Sequence, residues 1–178
     1  MKTNNIILIS FINNKPSLVN ISTTGLPNYF STYQLTDGSL VNVNILDTTG
    51  QEKFDALNES YYKKADCVLL VYDITNKKSF DKCKNYYNPK LREKCKKNIK
   101  VILLGNKADL NDNREIEPEE GAAFALECNY IFMETSCLEN TNVASAFATL
   151  IEITNIEAKK IQENNIDLNT KKKKKSFC

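Results

Sequence analysis

The chain of 178 residues contains no histidine and no tryptophan, and only five glycines and four prolines. Its six cysteines show no C-x-x-C spacing, so the usual ligand pattern of a zinc site is missing. They are also too sparse for a disulfide framework, and we expect reduced thiols in a cytosolic protein. The cysteines are Cys67, Cys83, Cys95, Cys128, Cys137 and Cys178.

Long hydrophobic runs are missing as well. No apolar stretch approaches the ~20 residues that span a bilayer. The apolar run from Ile6 to Ile12 is short and leads into polar residues, so no signal peptide is expected. The composition, with 42% hydrophobic and 26% charged residues, is ordinary for a globular protein. We expect one domain over residues 1–163, followed by a flexible polybasic tail over residues 164–178.

Six short segments have the pattern of β-strands. Asp37-Gly38 separates the second from the third and predicts a hairpin. The fourth is apolar throughout, as expected for a strand that is covered on both faces. The predicted strands are Asn4–Ser10, Tyr29–Thr36, Leu40–Asp47, Asp66–Ile74, Ile99–Gly105 and Tyr130–Glu134.

Helical patterns alternate with these strands. The predicted helices are a short one over Pro16–Ile21, one over Lys77–Lys97 that is interrupted or kinked near Asn88-Pro89, then Pro118–Cys128 and Asn140–Ile161. The alternation predicts an α/β fold with a mostly parallel six-stranded sheet, one antiparallel edge strand and helices on both faces. Ligands of such sheets bind at the carboxyl ends of the strands.

An Asn-Lys-x-Asp motif, with Asn106, Lys107 and Asp109, directly follows the buried strand Ile99–Gly105. The carboxylate of Asp109 matches guanine because it accepts hydrogen bonds from both N1–H and the exocyclic amine. Adenine has no such amine and presents an acceptor at N1. Asn106 is placed to bond the base edge and to tie neighbouring loops, and the stem of Lys107 to lie along the base plane. The motif therefore predicts guanine recognition.

A second motif, Asp47-Thr48-Thr49-Gly50-Gln51-Glu52, also follows a predicted strand. An aspartate at a strand end holds Mg²⁺, usually through water. Gly50 presents a backbone N–H to a terminal phosphate, and Gln51 orients an attacking water in phosphoryl transfer. The alternative is a polar loop with no such role.

A third segment, Glu134-Thr135-Ser136-Cys137-Leu138, follows the last predicted strand. A small residue at this point lets backbone N–H groups reach the O6 atom of guanine. Taken alone, this segment is equally an ordinary connection between a strand and a helix.

These segments resemble the Ras-like small GTPase superfamily, and most closely its Rab branch. The likeness covers roughly residues 4–160 and implies a P-loop small GTPase-like fold, binding of GTP and GDP with Mg²⁺, and effector and exchange proteins as partners. It implies nucleotide contacts for Ser136, Cys137 and Leu138 as well. The matching segments are Asn44–Phe54, Tyr61-Tyr62, Ala65–Thr75, Gly105–Leu110 and Glu134–Ser136.

The chain departs from the family most at its phosphate loop. The family has G-x-x-x-x-G-K-[ST], whose amides hold phosphates and whose hydroxyl meets Mg²⁺. Here Lys15 aligns with the phosphate lysine and Pro16 with the hydroxyl residue, while Ser17 lies one position out of register. Only 32 positions separate Lys15 from Asp47, fewer than the family uses for its effector region. The resemblance therefore implies an impaired phosphate site.

Two further departures lie in the other motifs. Thr49 replaces an alanine of the family, and Leu138 replaces the lysine of its Ser-Ala-Lys motif. Leu138 therefore supplies no lysine stem over the base.

The segment Lys171–Lys175 is an unbroken run of lysines, and Cys178 ends the sequence given. Rab proteins are prenylated on C-terminal cysteines, so the resemblance implies a lipid anchor at Cys178 beside an anionic membrane surface. The alternatives are a solvated lysine tail or a nuclear-type basic signal. The net charge of +2 is small, and we expect a monomer without a nucleic-acid partner.

Three readings of the function stay open. The first is a Rab-like switch of intracellular membrane traffic that hydrolyses GTP slowly if at all. It would cycle between the cytosol and the cytoplasmic face of a membrane, with prenylation-escort proteins among its partners. The second is a membrane-anchored pseudo-GTPase that acts as a binding module without a nucleotide cycle. The third is a defective gene product that folds poorly.

Overall fold

The computed structural model describes residues 3–10, 28–49, 61–156 and 158–159. The predicted helix over Pro16–Ile21 and the predicted tail over 164–178 lie outside the described residues.

One six-stranded sheet forms the centre of the fold. Its strands are Thr3–Ser10 (β1), Asn28–Gln34 (β2), Leu40–Thr49 (β3), Cys67–Asp73 (β4), Lys100–Asn106 (β5) and Ile131–Thr135 (β6). They lie in the order β2-β3-β1-β4-β5-β6. The edge strand β2 pairs antiparallel with β3, and every other neighbouring pair is parallel. The predicted fold class is therefore confirmed.

The hairpin between β2 and β3 has its turn where Asp37-Gly38 predicted it. Leu35 N donates to Ser39 O at 2.8 Å, which closes the turn. Gly38 has a φ of 83°, a left-handed conformation that glycine adopts without strain. The prediction that β2 reaches Thr36 is wrong, because the Thr36 N–H donates to Glu152 Oε1 at 2.7 Å and not to β3.

The predicted kinked helix after β4 consists of three helical pieces. These are an α-helix over Lys77–Lys82 (α1), a π-helical turn over Cys83–Tyr87 and an α-helix over Asn88–Lys94 (α2). Pro89 lies in the first turn of α2, where its missing N–H is tolerated. The predicted interruption is thus confirmed as a π-helical turn, but the predicted end at Lys97 is wrong, because Cys95 already has extended backbone.

The helix Pro118–Cys128 (α3) has the predicted bounds. A left-handed Asn129, with a φ of 59°, ends it. The last helix (α4) is described over residues 143–156 and 158–159, so it begins after the predicted start at Asn140, and the predicted end at Ile161 lies outside the described residues. Asn140 has a positive φ of 56°, which is incompatible with a right-handed helix, and Ser136 and Thr141 form an isolated bridge before α4.

Each face of the sheet carries its own hydrophobic core. On one face, Tyr72 of β4 packs with Phe80 and Phe124 beneath α1–α3. On the other, Ile6 and Leu8 of β1 pack in one cluster with residues of α4, among them Ala146, Leu150 and Ile151. Helices therefore lie on both faces, as predicted. Within the described ranges, no helix combines the length and the apolar character needed to cross a membrane.

Two polar contacts join the hairpin turn to α4. Glu152 receives hydrogen bonds from the N–H of Thr36 and from its hydroxyl, the latter at 3.3 Å. Lys159 pairs with Asp37. This pair, together with hydrogen bonds from Ser39, holds the pKa of the Asp37 carboxyl well below its usual range. The far edge of the sheet is thereby tied to the C-terminal end of the described chain.

Candidate functional site

The site predicted for the base lies where three neighbouring parallel strands end. Asp73 of β4 is the register partner of Asn106 of β5, which in turn is the partner of Thr135 of β6. Because all three strands run in the same direction, the loops after them meet at one edge of the sheet. The Asn-Lys-x-Asp motif and the segment after β6 are therefore adjacent.

Asn106 ties these loops together. It is almost fully buried, at 1% exposure. Its Oδ1 atom accepts hydrogen bonds from Thr135 Oγ1 and from Cys137 Sγ, both at 3.2 Å. Its backbone oxygen accepts from Ile74 N at 3.0 Å. The side chain thus fixes the end of β5 relative to the loop after β6.

Lys107 is held by an ion pair that the sequence analysis missed. Its backbone is left-handed, with a φ of 69°, which is uncommon for a residue with a side chain. Lys107 Nζ lies 2.6 Å from Asp73 Oδ2, and the Asp73 side chain is only 7% exposed. Asp73 Oδ1 also accepts from Thr75 N at 2.9 Å. A carboxylate at the end of the preceding parallel strand was the available signal for this contact.

Asp109 and Ser136 connect the two base-binding segments directly. Ser136 Oγ donates to Asp109 Oδ1 at 2.5 Å and accepts from Glu139 N at 3.0 Å. Ser136 is fully buried, whereas Asp109 is partly exposed. The second carboxylate oxygen of Asp109 accepts no hydrogen bond from any described residue. A partly exposed carboxylate with one uncommitted oxygen suits the two adjacent donors of guanine.

Cys137 and Leu138 differ in their burial and in their hydrogen bonding. Burial raises the pKa of the Cys137 thiol, and the hydrogen bond to Asn106 opposes that rise. The thiol is therefore protonated at neutral pH, which lets it donate to Asn106. Leu138 is 76% exposed. It lies in the turn after Cys137, where its apolar side chain offers no polar contact to a ligand.

A second ion pair supports the loop after β6. Arg114 donates from Nη1 to Glu134 Oε1 at 2.6 Å and from Nη2 to Glu134 Oε2 at 2.9 Å. This two-point contact raises the pKa of Arg114. Asn142 Nδ2 donates to the backbone oxygen of Glu134 at 2.9 Å. The loop that carries Ser136 and Cys137 is thus held at its base, and no spacing in the sequence pointed to this pair.

The phosphate end of the predicted site is mostly outside the described residues. The predicted phosphate-site residues outside the described ranges are Lys15, Ser17, Gly50 and Gln51. The predicted lipid-anchor residue Cys178 lies outside them as well.

Asp47 is described, and it lies within β3 instead of at its end. It is the register partner of Leu8, and β3 continues to Thr49. The prediction of a strand end at Asp47 is therefore wrong. Its partly exposed carboxylate is still the kind of ligand that Mg²⁺ prefers.

Comparison with known proteins agrees with this geometry. The model of the Ras family matches residues 2–156. Over 130 residues, the chain is 42% identical to Ras-related protein Rab-8A of Bos taurus and 41% identical to Ras-related protein Rab-8B of Homo sapiens. Each of these alignments covers 73% of the chain and 62% of the relative.

A plant relative aligns over a longer stretch. Ras-related protein Rab11A of Lotus japonicus is 43% identical over 156 residues, which is 86% of the chain and 68% of the relative. The chain thus spans only about 62% of the length of the Rab-8 relatives. The family match nevertheless includes all six strands and both base-binding segments. The chain belongs to the Ras family of small GTPases, close to its Rab branch.

Proposed function

We propose that this protein is a guanine-nucleotide-binding switch of intracellular vesicle traffic that hydrolyses GTP slowly. The observation that supports the proposal best is the joined base site, in which Asp109 contacts Ser136 and Asn106 contacts Cys137. These four residues belong to two segments about thirty positions apart and form hydrogen bonds that join the loops at the carboxyl ends of β5 and β6.

Within this proposal, each base-site residue has one task. The carboxylate of Asp109, which has one uncommitted oxygen, accepts hydrogen bonds from the N1–H and the exocyclic amine of guanine. Asn106 is fixed by its bonds to the loop after β6 and presents its amide to the base. Lys107, anchored at Asp73, lays its aliphatic stem along the base plane, and the backbone at Ser136 and Cys137 faces O6. Leu138 adds at most apolar contact.

The phosphate end carries the switch and is the weaker half of the proposed site. Bound GTP supplies the phosphoryl group and Mg²⁺ its charge compensation. Asp47 would hold the ion, Lys15 the phosphates and Gln51 the attacking water, with Ser17 and Gly50 beside them. Each charge-assisted hydrogen bond lost at the altered loop costs roughly 1.5–3 kcal/mol. Three such losses lower nucleotide affinity by about three or more powers of ten, and hydrolysis suffers further because it requires exact charge placement.

Membrane attachment is the other part of the proposal. A prenyl group on Cys178 together with the charges of Lys171–Lys175 makes a two-signal anchor on the cytoplasmic face of an intracellular membrane. Effector, exchange and prenylation-escort proteins would be the partners of a monomer made of one domain over 1–163 and a tail over 164–178. The Rab names of the relatives support this location.

The test begins with the nucleotide content of the purified protein. We expect chromatography of a denaturing extract to yield GDP or GTP and no adenine nucleotide. Asp109→Asn should shift the preference toward xanthine, whose C2 carbonyl accepts from the new amide. Asp112→Asn is the matched control, because Asp112 is exposed in the same turn and makes no contact with Ser136.

Two results would contradict the proposal. Equal competition by ATP and GTP would show that Asp109 does not select the base. An empty extract together with no measurable binding of added GDP would favour the alternative, a membrane-anchored binding module without a nucleotide cycle. No contact among the described residues specifically favours that alternative.

A further inference from the structure

The positive charge of the described chain is concentrated in one segment, residues 77–100. It holds ten lysines and arginines but only two carboxylates, Asp81 and Glu93. The whole chain has a net charge of only +2. A local excess of this size produces a positive surface potential that attracts anions, even though the protein as a whole is nearly neutral.

Part of this segment borders a cleft of about 600 Å³ between the end of α2, the start of β5 and the end of α3. A cleft of this size lies within the range of small-molecule sites. Its charged lining is strongly unbalanced, because Glu127 is the one carboxylate among the lining residues. The cations that line it are Arg92, Lys96, Lys97 and Lys100.

Two of the four cations that line the cleft are not neutralised by a carboxylate of the described residues. Lys96 pairs with Asp66 at 2.7 Å. Arg92 and Lys97, by contrast, make no ion pair with a carboxylate of the described residues. Arg92 Nε donates to Asn88 Oδ1 at 3.3 Å, and the Arg92 guanidinium also hydrogen-bonds the side chains of Cys128 and Tyr130. Tyr130 Oη donates to the same Asn88 oxygen at 2.8 Å. Asn88 therefore positions Arg92 beside the cleft without neutralising its charge.

The cleft lies far from the proposed nucleotide site. Lys100 begins β5 and Asn106 ends it, so the two sites are at opposite ends of the strand, about 20 Å apart at ~3.3 Å per residue. A neighbouring smaller pocket of about 270 Å³ shares Lys100 and Asn129 with the cleft and reaches Ile156 near the end of α4. The cleft thus lies at the end of β5 opposite the base site, beside a pocket that reaches α4.

We propose that this cleft is an anion-binding site for a compact ligand that carries phosphate monoesters, with Arg92 and Lys97 as its principal contacts. The planar guanidinium of Arg92 matches two phosphate oxygens at once, and the ammonium of Lys97 adds a mobile point charge. The shared chemistry is a phosphorylated polyol, either as a lipid headgroup or as a free compound. The site does not depend on the proposed nucleotide cycle.

The probe for the experiment is inositol 1,4,5-trisphosphate, added to the full chain by titration calorimetry with excess GDP present to exclude binding at the nucleotide site. We expect saturable binding at one site, weakened about tenfold or more in the double variant R92Q/K97Q, because both charge-assisted contacts are removed. The matched control is K64Q/K78Q, which removes the same charge from exposed lysines outside the cleft and should bind as the unchanged protein does.

A parallel measurement separates the two sources of phosphate. Vesicles with phosphatidylinositol 4,5-bisphosphate are compared with phosphatidylserine vesicles of equal surface charge. If the unchanged protein prefers the bisphosphate vesicles and R92Q/K97Q loses this preference together with trisphosphate binding, the ligand is a lipid headgroup. If neither protein prefers the bisphosphate vesicles and only trisphosphate binding is weakened in R92Q/K97Q, the ligand is soluble. Absence of saturable trisphosphate binding, or equal weakening in both double variants, would overturn the proposal.

Discussion

Tyr72 provides a sharp test of the packing beneath the candidate site. Its side chain is fully buried, and its hydroxyl has no hydrogen-bond partner among the described residues. Burial also raises the pKa of this hydroxyl well above its usual range. Two glycines border it, because a Cβ atom placed on Gly105 would lie 2.9 Å from Tyr72 Oη and one on Gly121 would lie 2.6 Å from it. The ring therefore occupies a slot that both glycines leave open.

Tyr72→Phe removes the oxygen and keeps the ring. An unsatisfied buried polar group costs about 1–3 kcal/mol of stability. Removing the oxygen relieves this cost but leaves a small space, and the lost van der Waals contacts offset part of the gain. We therefore expect the free energy of unfolding to rise by about 0.5–1.5 kcal/mol. The measurement is urea denaturation followed by circular dichroism, with both proteins at the same nucleotide concentration because a bound ligand adds to apparent stability.

Gly121→Ala supplies the second half of a double-mutant cycle. The new methyl group would lie 2.6 Å from Tyr72 Oη and 2.7 Å from Phe132 Cε2, so we expect a destabilisation of about 1–3 kcal/mol despite the better helix propensity of alanine. In the Tyr72→Phe background the loss should be smaller by about 0.5 kcal/mol or more. If Tyr72→Phe lowers stability by more than about 1 kcal/mol, the hydroxyl has a partner and this account of the slot is wrong.

Three further predictions concern the site and the tail. Asp73→Asn removes the carboxylate that holds Lys107, so guanine-nucleotide affinity, measured by titration with fluorescent GDP, should fall by about tenfold. The control Asp81→Asn in α1 should leave this affinity unchanged, and an equal loss in the control would contradict the role of Asp73. Replacing Pro16 with serine within a loop restored to the glycine-rich family pattern should raise nucleotide affinity and single-turnover hydrolysis more than any single change elsewhere, whereas an unmodified protein that already turns over like its relatives would refute the impaired phosphate site. Cys178→Ser should release the protein to the cytosol in cell fractionation, and a tail recovered from membranes without any modification by mass spectrometry would exclude the lipid anchor.

The sheet could be predicted largely from the sequence, because strands buried on both faces are apolar without interruption. Cys67–Asp73 is buried at every position and was predicted to within one residue at each end. The errors fall where a single hydrogen bond or backbone conformation decides the boundary. Thr36 leaves β2 for a bond with Glu152, and the left-handed Asn140 delays the start of α4.

The candidate site likewise contains contacts that could be predicted from the sequence and others that could not. Asn106 and Asp109 are neighbours in sequence, so their motif was visible, and the hydrogen bonds to Cys137 and Ser136 follow once the strands lie side by side. The ion pair of Lys107 with Asp73 joins residues thirty-four positions apart, and no periodic pattern in the sequence indicates it. Its one signal is the position of Asp73 at the end of the strand before β5, which becomes informative once the two strands are known to be parallel neighbours.

The attachment of α4 to the sheet has a consequence for the synthesis of the chain. The face that contains Ile6 and Leu8 is covered by residues of α4, such as Leu150, that leave the ribosome more than a hundred residues later. The bonds of Thr36 with Glu152 span 116 positions and likewise form late. Until α4 emerges, an apolar sheet face stays exposed to other chains and invites aggregation. The packing of this sheet face is therefore completed only after α4 has been synthesised, and we expect a nascent chain stalled before α4 to depend on chaperones more than a chain that includes it.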